Sequence, residues 1–128
     1  MLLVDTHAIV WFSLADPKLP PTAAALLADR TNEVFVSPAS YWEMAIKIHL
    51  GKWTIGKSYA DLVDDLWNVY GFKVLPVLPA HTVRLIGLAG HHQDPFDRLM
   101  AVQCLTDRLT IVSGDAIFDR YGVPRLWS

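Results

Sequence analysis

The sequence Asp94-Pro95-Phe96-Asp97 places two carboxylates three residues apart at the start of an apparent helix. Positions three apart share one helical face, and like charges there repel unless they cap or bind something. Capping is one use: Asp94 as N-cap, Pro95 at the first helical position, and Asp97 in the first turn, where the helix dipole favours an anion. Three more acids stand at strand ends or early in helices: Asp5, Glu43 and Asp115. Each also has a structural use. Asp5 can cap the first helix, Glu43 can pair with Lys47 four residues on, and Asp115 can cap the short last helix. Asp94 and Asp119 read as a cap and a solvated surface group. Taken together, Asp5, Glu43, Asp97 and Asp115 form one constellation. Packed carboxylates cannot all stay ionised without a cation, and an all-oxygen set without thiolate suits Mg²⁺ or Mn²⁺. The chemistry of such a set is metal-assisted phosphoryl transfer to water.

The elements that must position these groups alternate. Short apolar runs predict strands over 2–4, 33–36, 72–75 and 109–112, with a further edge strand within 123–127. Apolar residues at helical spacing, with Ser, Asp or Pro at the starts and Gly at several ends, predict helices over 8–12, 22–30, 38–50, 58–70, 79–89, 95–108 and 116–121. Alternating strands and helices indicate an α/β domain with a mainly parallel sheet. Right-handed crossovers then bring the strands' C-terminal ends to one side, where ligands bind in such folds. Asp97 reaches that side only if the loop before it folds over the sheet edge.

The 128 residues suffice for one domain, 1–128, and the 52% hydrophobic content excludes a disordered chain. A formal net charge of -2 excludes a global basic field, so any nucleic-acid contact must use a local patch. Lys47, Lys52, Arg98 and His92 are candidates for one, and a solvated face is the alternative for each. Trp11, Trp42, Trp53 and Trp67 read as core or dimer contacts rather than base-stacking platforms. His7 is placed to pack near the acids, while His49 and His81 read as structural. The single Cys104 makes neither an internal disulfide nor a zinc site. Neither an export signal nor a membrane span is legible, so the cytoplasm is the expected location and no membrane partner is expected.

Leu3-Val4-Asp5-Thr6-His7-Ala8, Trp42-Glu43, Asp94-Pro95-Phe96-Asp97-Arg98-Leu99 and Ser113-Gly114-Asp115 with Tyr121-Gly122-Val123 follow one another in an order that resembles the PIN-domain ribonucleases. More narrowly, it resembles the VapC toxins of VapBC toxin–antitoxin pairs. The resemblance spans nearly the whole chain. It implies a three-layer α/β/α domain with four to five short, mainly parallel strands. It implies a catalytic set of Asp5, Glu43, Asp97 and Asp115, with Asp5, Asp97 and Asp115 as ligands to Mg²⁺, or Mn²⁺ in its place, and RNA as substrate. Thr6 and Ser113 match hydroxyl positions that hydrogen-bond the acids, and Asp94 matches a support or substrate-contact position. Lys47, Arg98 and His92 remain the substrate-binding candidates. A homodimer and a VapB-like antitoxin that covers the groove are further implications. A catalytically silent module that holds a partner peptide is the alternative. A phosphate-transfer receiver fits less well, because His7 stands where such a site would usually carry a second acid.

Overall fold

The computed structural model describes residues 1–90 and 93–128. Among the described residues, five strands form one sheet: Leu2–Val4 (β1), Val34–Val36 (β2), Lys73–Val74 (β3), Thr110–Val112 (β4) and Arg125–Leu126 (β5). Their order is β3-β2-β1-β4-β5, and every neighbouring pair is parallel. The expected edge strand is β5. The sheet is apolar on both faces because side chains alternate across it. Val4 and Val112 enter one core cluster, and Leu3 and Ile111 enter the other.

Seven described helices cover these two faces. Thr6–Ser13 (α1), Pro21–Ala28 (α2), Pro38–His49 (α3) and Tyr59–Asp64 (α4) bury Ile9, Leu27, Met44 and Leu62 against the first face. Pro79–Ile86 (α5), Pro95–Asp107 (α6) and Ile117–Arg120 (α7) lie on the other, where Met100, Cys104 and Phe118 are buried. The α5 helix is tied to α6 through buried His81. Its Nδ1 accepts from the Leu78 amide at 2.8 Å, and its Nε2 meets Asp107 at 2.9 Å. The result is the three-layer α/β/α arrangement.

Local chemistry explains the helix starts. Asp5, Ser37, Ser58 and Asp94 each accept a hydrogen bond from an amide of the first turn, and proline begins α2, α3, α5 and α6. The helix expected over 58–70 is interrupted. After α4 the chain widens into a π-type turn at Asp65–Val69, closed by Tyr70 N–H donating to the Asp65 carbonyl at 3.1 Å. The wider turn keeps Leu62 and Leu66 buried while Tyr70 reaches Phe12 and Phe72. The carbonyls of Asn68 and Val69 are satisfied by the Arg30 guanidinium. The helix expected over 79–89 stops at Ile86. The one expected over 95–108 stops at Asp107, with Arg108 in the left-handed region at φ 58°. No helix among the described residues is long and apolar enough to cross a membrane.

The strand order has a functional consequence. From β1 the chain adds strands to one side, β2 then β3, and afterwards to the other, β4 then β5. The reversal lies between β1 and β4. In open parallel sheets the crevice at the C-terminal ends of two such strands is where ligands sit.

Candidate active site

Asp5 follows β1 and the segment Ser113-Gly114-Asp115 follows β4, so both flank that crevice. The Asp5 amide donates to the Val112 carbonyl at 3.1 Å, continuing the ladder one residue past the strand. Asp5 Oδ1 accepts from the Ala8 amide at 3.1 Å as the cap of α1, and Oδ2 accepts from the Ser113 hydroxyl. The Ser113 oxygen in turn accepts from the Asp115 amide at 3.0 Å. Thus one buried hydroxyl joins the Asp5 carboxylate to the backbone amide of Asp115. Asp5 is only 7% exposed, and burial pushes its pKa up more than Ser113, Ala8 and nearby His7 pull it down. Asp115 is exposed, and its Oδ1 accepts from the Ile117 amide at 3.0 Å. Both carboxylates line one open pocket of about 520 Å³, together with His7, Trp11, Lys18, Gly114 and Trp127.

The other two acids approach through helices. Thr6 Oγ1 donates to Ser40 Oγ at 3.0 Å, and Ser40 Oγ lies 3.5 Å from Met100 Sδ. This contact brings together the start of α1, α3 and α6. Glu43 follows Ser40 by three residues and Asp97 precedes Met100 by three, so each acid lies one turn along the same helix face from the meeting point. Because α6 leads directly into β4, it runs antiparallel to the strands, and its first turn with Asp97 lies at the sheet's C-terminal edge. Asp94 Oδ1 fixes that turn by accepting from the amides of Phe96 at 2.8 Å and Asp97 at 3.3 Å. Glu43 is buried at 4% exposure and pairs with Lys47 at 3.0 Å; Asp97 is half-buried.

Residues 2–124 match the PIN domain family. The chain belongs to that family. Among solved structures, this PIN domain is similar to VapBC2 from Rickettsia felis bound to a DNA fragment from their promoter. The TM-score is 0.74 at 16% identity, covering 99% of this chain and 98% of that one. It is also similar to FitAB bound to an IR36 DNA fragment, with a TM-score of 0.69, 17% identity and coverage of 98% and 94%. For FitAcB from Neisseria gonorrhoeae the TM-score is 0.62 at 18% identity, with coverage of 98% and 96%. At these identities the likeness establishes the fold. No curated protein sequence matches the chain.

In this PIN domain Asp5 and Asp115 share the crevice pocket, whereas Glu43 and Asp97 are not among its lining residues. Among the described residues, no three His, Cys, Asp or Glu side chains stand close enough to hold a metal ion. A divalent ion of the kind PIN domains generally use nevertheless fits the donors. They are all oxygen, and the buried Asp5 carboxylate gains from a cation that would favour its ionised form. Each carboxylate oxygen has two acceptor sites, so the bonds from Ala8 and Ser113 leave capacity for an ion. Mg²⁺ takes one or two protein carboxylates and keeps several waters, so Asp5 and Asp115 suffice in number.

The substrate candidates are distributed differently. Lys47 is held between Glu43 and the Trp53 ring, 4.8 Å from its centroid. The Arg98 guanidinium donates to the Ala89 carbonyl at 3.0 Å, to the Leu88 carbonyl at 3.4 Å and to the Tyr121 hydroxyl at 3.4 Å, tethering the segment before α6. His92 lies outside the described residues. Asp119 forms a two-pronged pair with Arg125 at 3.0 Å, which explains its place outside the acidic set. Sequence reasoning missed Ser40, although its place three residues before Glu43 marks it as a same-face neighbour. It also missed Lys18 and Trp127, whose approach to the acids depends on chain reversals that no local pattern encodes.

Proposed function

We propose that this PIN domain is a metal-dependent endoribonuclease, using Mg²⁺ or Mn²⁺, and the toxin half of a toxin–antitoxin pair. The observation that carries this reading is the pairing of Asp5 and Asp115 through Ser113 in one pocket, at the point where the strand order reverses. Asp5, Asp97 and Asp115 would hold the divalent ion, which would lower the pKa of a water and offset charge on the phosphodiester oxygens. Every other contribution comes from the chain. Ser113 and the Ala8 amide hold the Asp5 carboxylate in one orientation, and the Asp94 cap sets the turn that carries Asp97. Thr6 and Ser40 key α1 to α3, the helix that carries Glu43, and Glu43 is assigned to orient the attacking water. Lys47 pairs with Glu43 and offers a cation to the substrate phosphate, with Arg98 and His92 as further contacts on the α6 side.

A protein partner is part of the reading. The neighbouring structures are named as the VapBC2 and FitAB complexes on DNA, which supports a VapB-like antitoxin for this chain. Homodimer formation and a cytoplasmic location belong to the same proposal. The test is cleavage of total cellular RNA by purified protein with Mg²⁺ or Mn²⁺, with and without chelator, followed by mapping of the ends. Cleavage is expected only with metal and should fall by about two orders of magnitude or more in Asp97→Asn and Asp115→Asn, typical for loss of a group that stabilises developing charge. Cutting that survives chelator and both substitutions overturns it. One observation favours a second reading, a catalytically silent module that holds a partner peptide: the acids form no ready-made cage and several already serve as caps or ion pairs. Absence of cleavage with either metal, alongside tight antitoxin binding, would select it.

A further inference from the structure

Beside the carboxylates runs a line of rings. Trp127 and Trp11 have centroids 5.9 Å apart, Trp11 and His7 5.7 Å, and His7 and Trp53 5.1 Å. His7 is exposed, and the three indoles are half-buried. His7 and Trp11 are shared walls between two cavities. One is the pocket of about 520 Å³ that holds Asp5 and Asp115; the other, of about 250 Å³, is closed by Trp53 and Lys52. Lys18 belongs to the first cavity, with its ammonium 5.8 Å from the Trp11 ring centre, and Lys52 to the second. The smaller cavity lies below the roughly 300–1,000 Å³ of sites for whole small molecules, so it suits a fragment such as one planar ring system.

In place of the sequence reading of Trp11 and Trp53 as core or dimer contacts only, we infer that these partly buried rings form a stacking shelf for unpaired bases of a single-stranded nucleic acid, with Lys18 and Lys52 holding the phosphates on either side of Trp11. The occupant must be apolar on its flat faces to lie on the rings and anionic along its edge to meet the lysines. Nucleotides combine the two. Bases stack on aromatic side chains without regard to sequence, and a duplex cannot offer them because its bases are already stacked inside. The two lysines also supply the local cationic patch that a chain of net charge -2 needs. A strand lying across Trp11 into both cavities passes over Asp5 and Asp115. The inference deepens the nuclease reading and rests on it for where the strand is cut, though not for how the strand is held.

The test uses the full chain in EDTA, which stops metal-dependent cutting, and a single-stranded RNA 12-mer carrying 2-aminopurine. A single-stranded DNA of the same sequence and the RNA duplex form separate arms. Tryptophan emission and 2-aminopurine fluorescence are both expected to fall on binding to either single strand and not to the duplex. A difference between the RNA and DNA arms identifies which backbone the shelf prefers. Trp11→Leu should weaken binding roughly 5- to 150-fold, the loss of one base stack. Trp11 also packs on the core, so His7→Ala, at an exposed position, is the second variant and should relieve the 2-aminopurine quenching. Lys52→Gln should leave quenching intact in the bound state but lower the salt slope of binding by about 0.7, one phosphate contact. Unchanged affinity and quenching in both ring variants, or a duplex bound as well as the single strand, overturns the inference. Emission that ignores both single strands also overturns it and leaves the rings to a protein partner. Metal-dependent cleavage is scored separately. Cutting without ring-dependent binding refutes the shelf and spares the nuclease, while ring-dependent binding without cutting does the reverse.

Discussion

Asp5→Asn tests the electrostatics of the site without dismantling it. Burial is the largest influence on Asp5, and it raises the pKa above the usual carboxylate value. A carboxyl whose folded pKa exceeds its unfolded value favours folding fully below that unfolded value, and the contribution is lost as pH rises through the folded pKa. At neutral pH the ionised Asp5 therefore costs stability. Asparagine caps helices about as well as aspartate, so the bond from the Ala8 amide survives, and its amide group can donate to Ser113 Oγ. Alanine removes the same charge but also deletes the cap, about 1 kcal/mol, and leaves buried Ser113 Oγ with no partner at position 5, whereas asparagine still donates to it, a further difference of about 1–3 kcal/mol. The expected order at pH 7 is Asp5→Asn at or above the natural protein, and Asp5→Ala about 2–4 kcal/mol below Asp5→Asn. Urea midpoints at unchanged slope measure both differences. Repeated at pH 4, the gap between Asp5→Asn and the natural protein should shrink as Asp5 takes up its proton. Adding Mg²⁺ at pH 7 should stabilise the natural protein and not Asp5→Asn, since an ion that binds only the folded state adds RT ln(1 + [L]/Kd). The reasoning is refuted if Asp5→Asn is the less stable protein at pH 7 by more than about 1 kcal/mol, the size of one net hydrogen bond. A gap that does not change between pH 4 and pH 7 refutes it as well.

Gln103 is a buried amide whose Oε1 accepts from Ser37 Oγ at 2.6 Å and whose Nε2 donates to the Leu75 carbonyl at 3.2 Å, joining α6 to the exits of β2 and β3. Gln103→Leu should cost about 2–4 kcal/mol in urea denaturation, because it leaves two buried polar groups unpaired; a loss below about 1 kcal/mol, one ordinary hydrogen bond, contradicts the assignment. The Cys104 thiol is pushed up to about 12 by burial and then by Asp107, so the reactive thiolate is scarce at neutral pH. Ellman's reagent at pH 8 should titrate it only after unfolding, and rapid labelling of the folded chain would show that α6 opens readily.

Much of the architecture was legible because it is encoded over a few neighbouring residues. The caps at Asp5, Ser37 and Asp94 and the prolines that follow Ser37 and Asp94 are contacts across two or three positions, and they mark helix starts wherever they occur. The short apolar runs of β1, β2 and β4 follow from burial on both faces. The π-type turn at Asp65–Val69 was not legible. It answers to the distance between Leu66 in the core and Tyr70 against Phe12, which periodicity read along the chain cannot contain. The early stop of α5 reflects the same limit, since the segment beyond it is claimed by the guanidinium of Arg98.

For the site, residue types and order were enough to single out Asp5, Glu43, Asp97 and Asp115 and to name the chemistry of an all-oxygen set. They left each acid with a structural use as well, and all four have one in the fold: Asp5 caps α1, Glu43 pairs with Lys47, Asp97 stands in the first turn of α6, and Asp115 accepts from Ile117. Whether an acid that caps a helix also faces a crevice depends on strand order, and strand order is a property of long-range pairing. Only the folded chain sets β4 beside β1, so that Ser113 bonds an acid 108 residues away and Trp127 comes to rest against Gly114. Short-range hydrogen bonds and periodic burial are written in the sequence. The bond from the Ser113 hydroxyl to the distant Asp5 carboxylate, and the rings beside it, exist only once hydrophobic burial has brought those segments together.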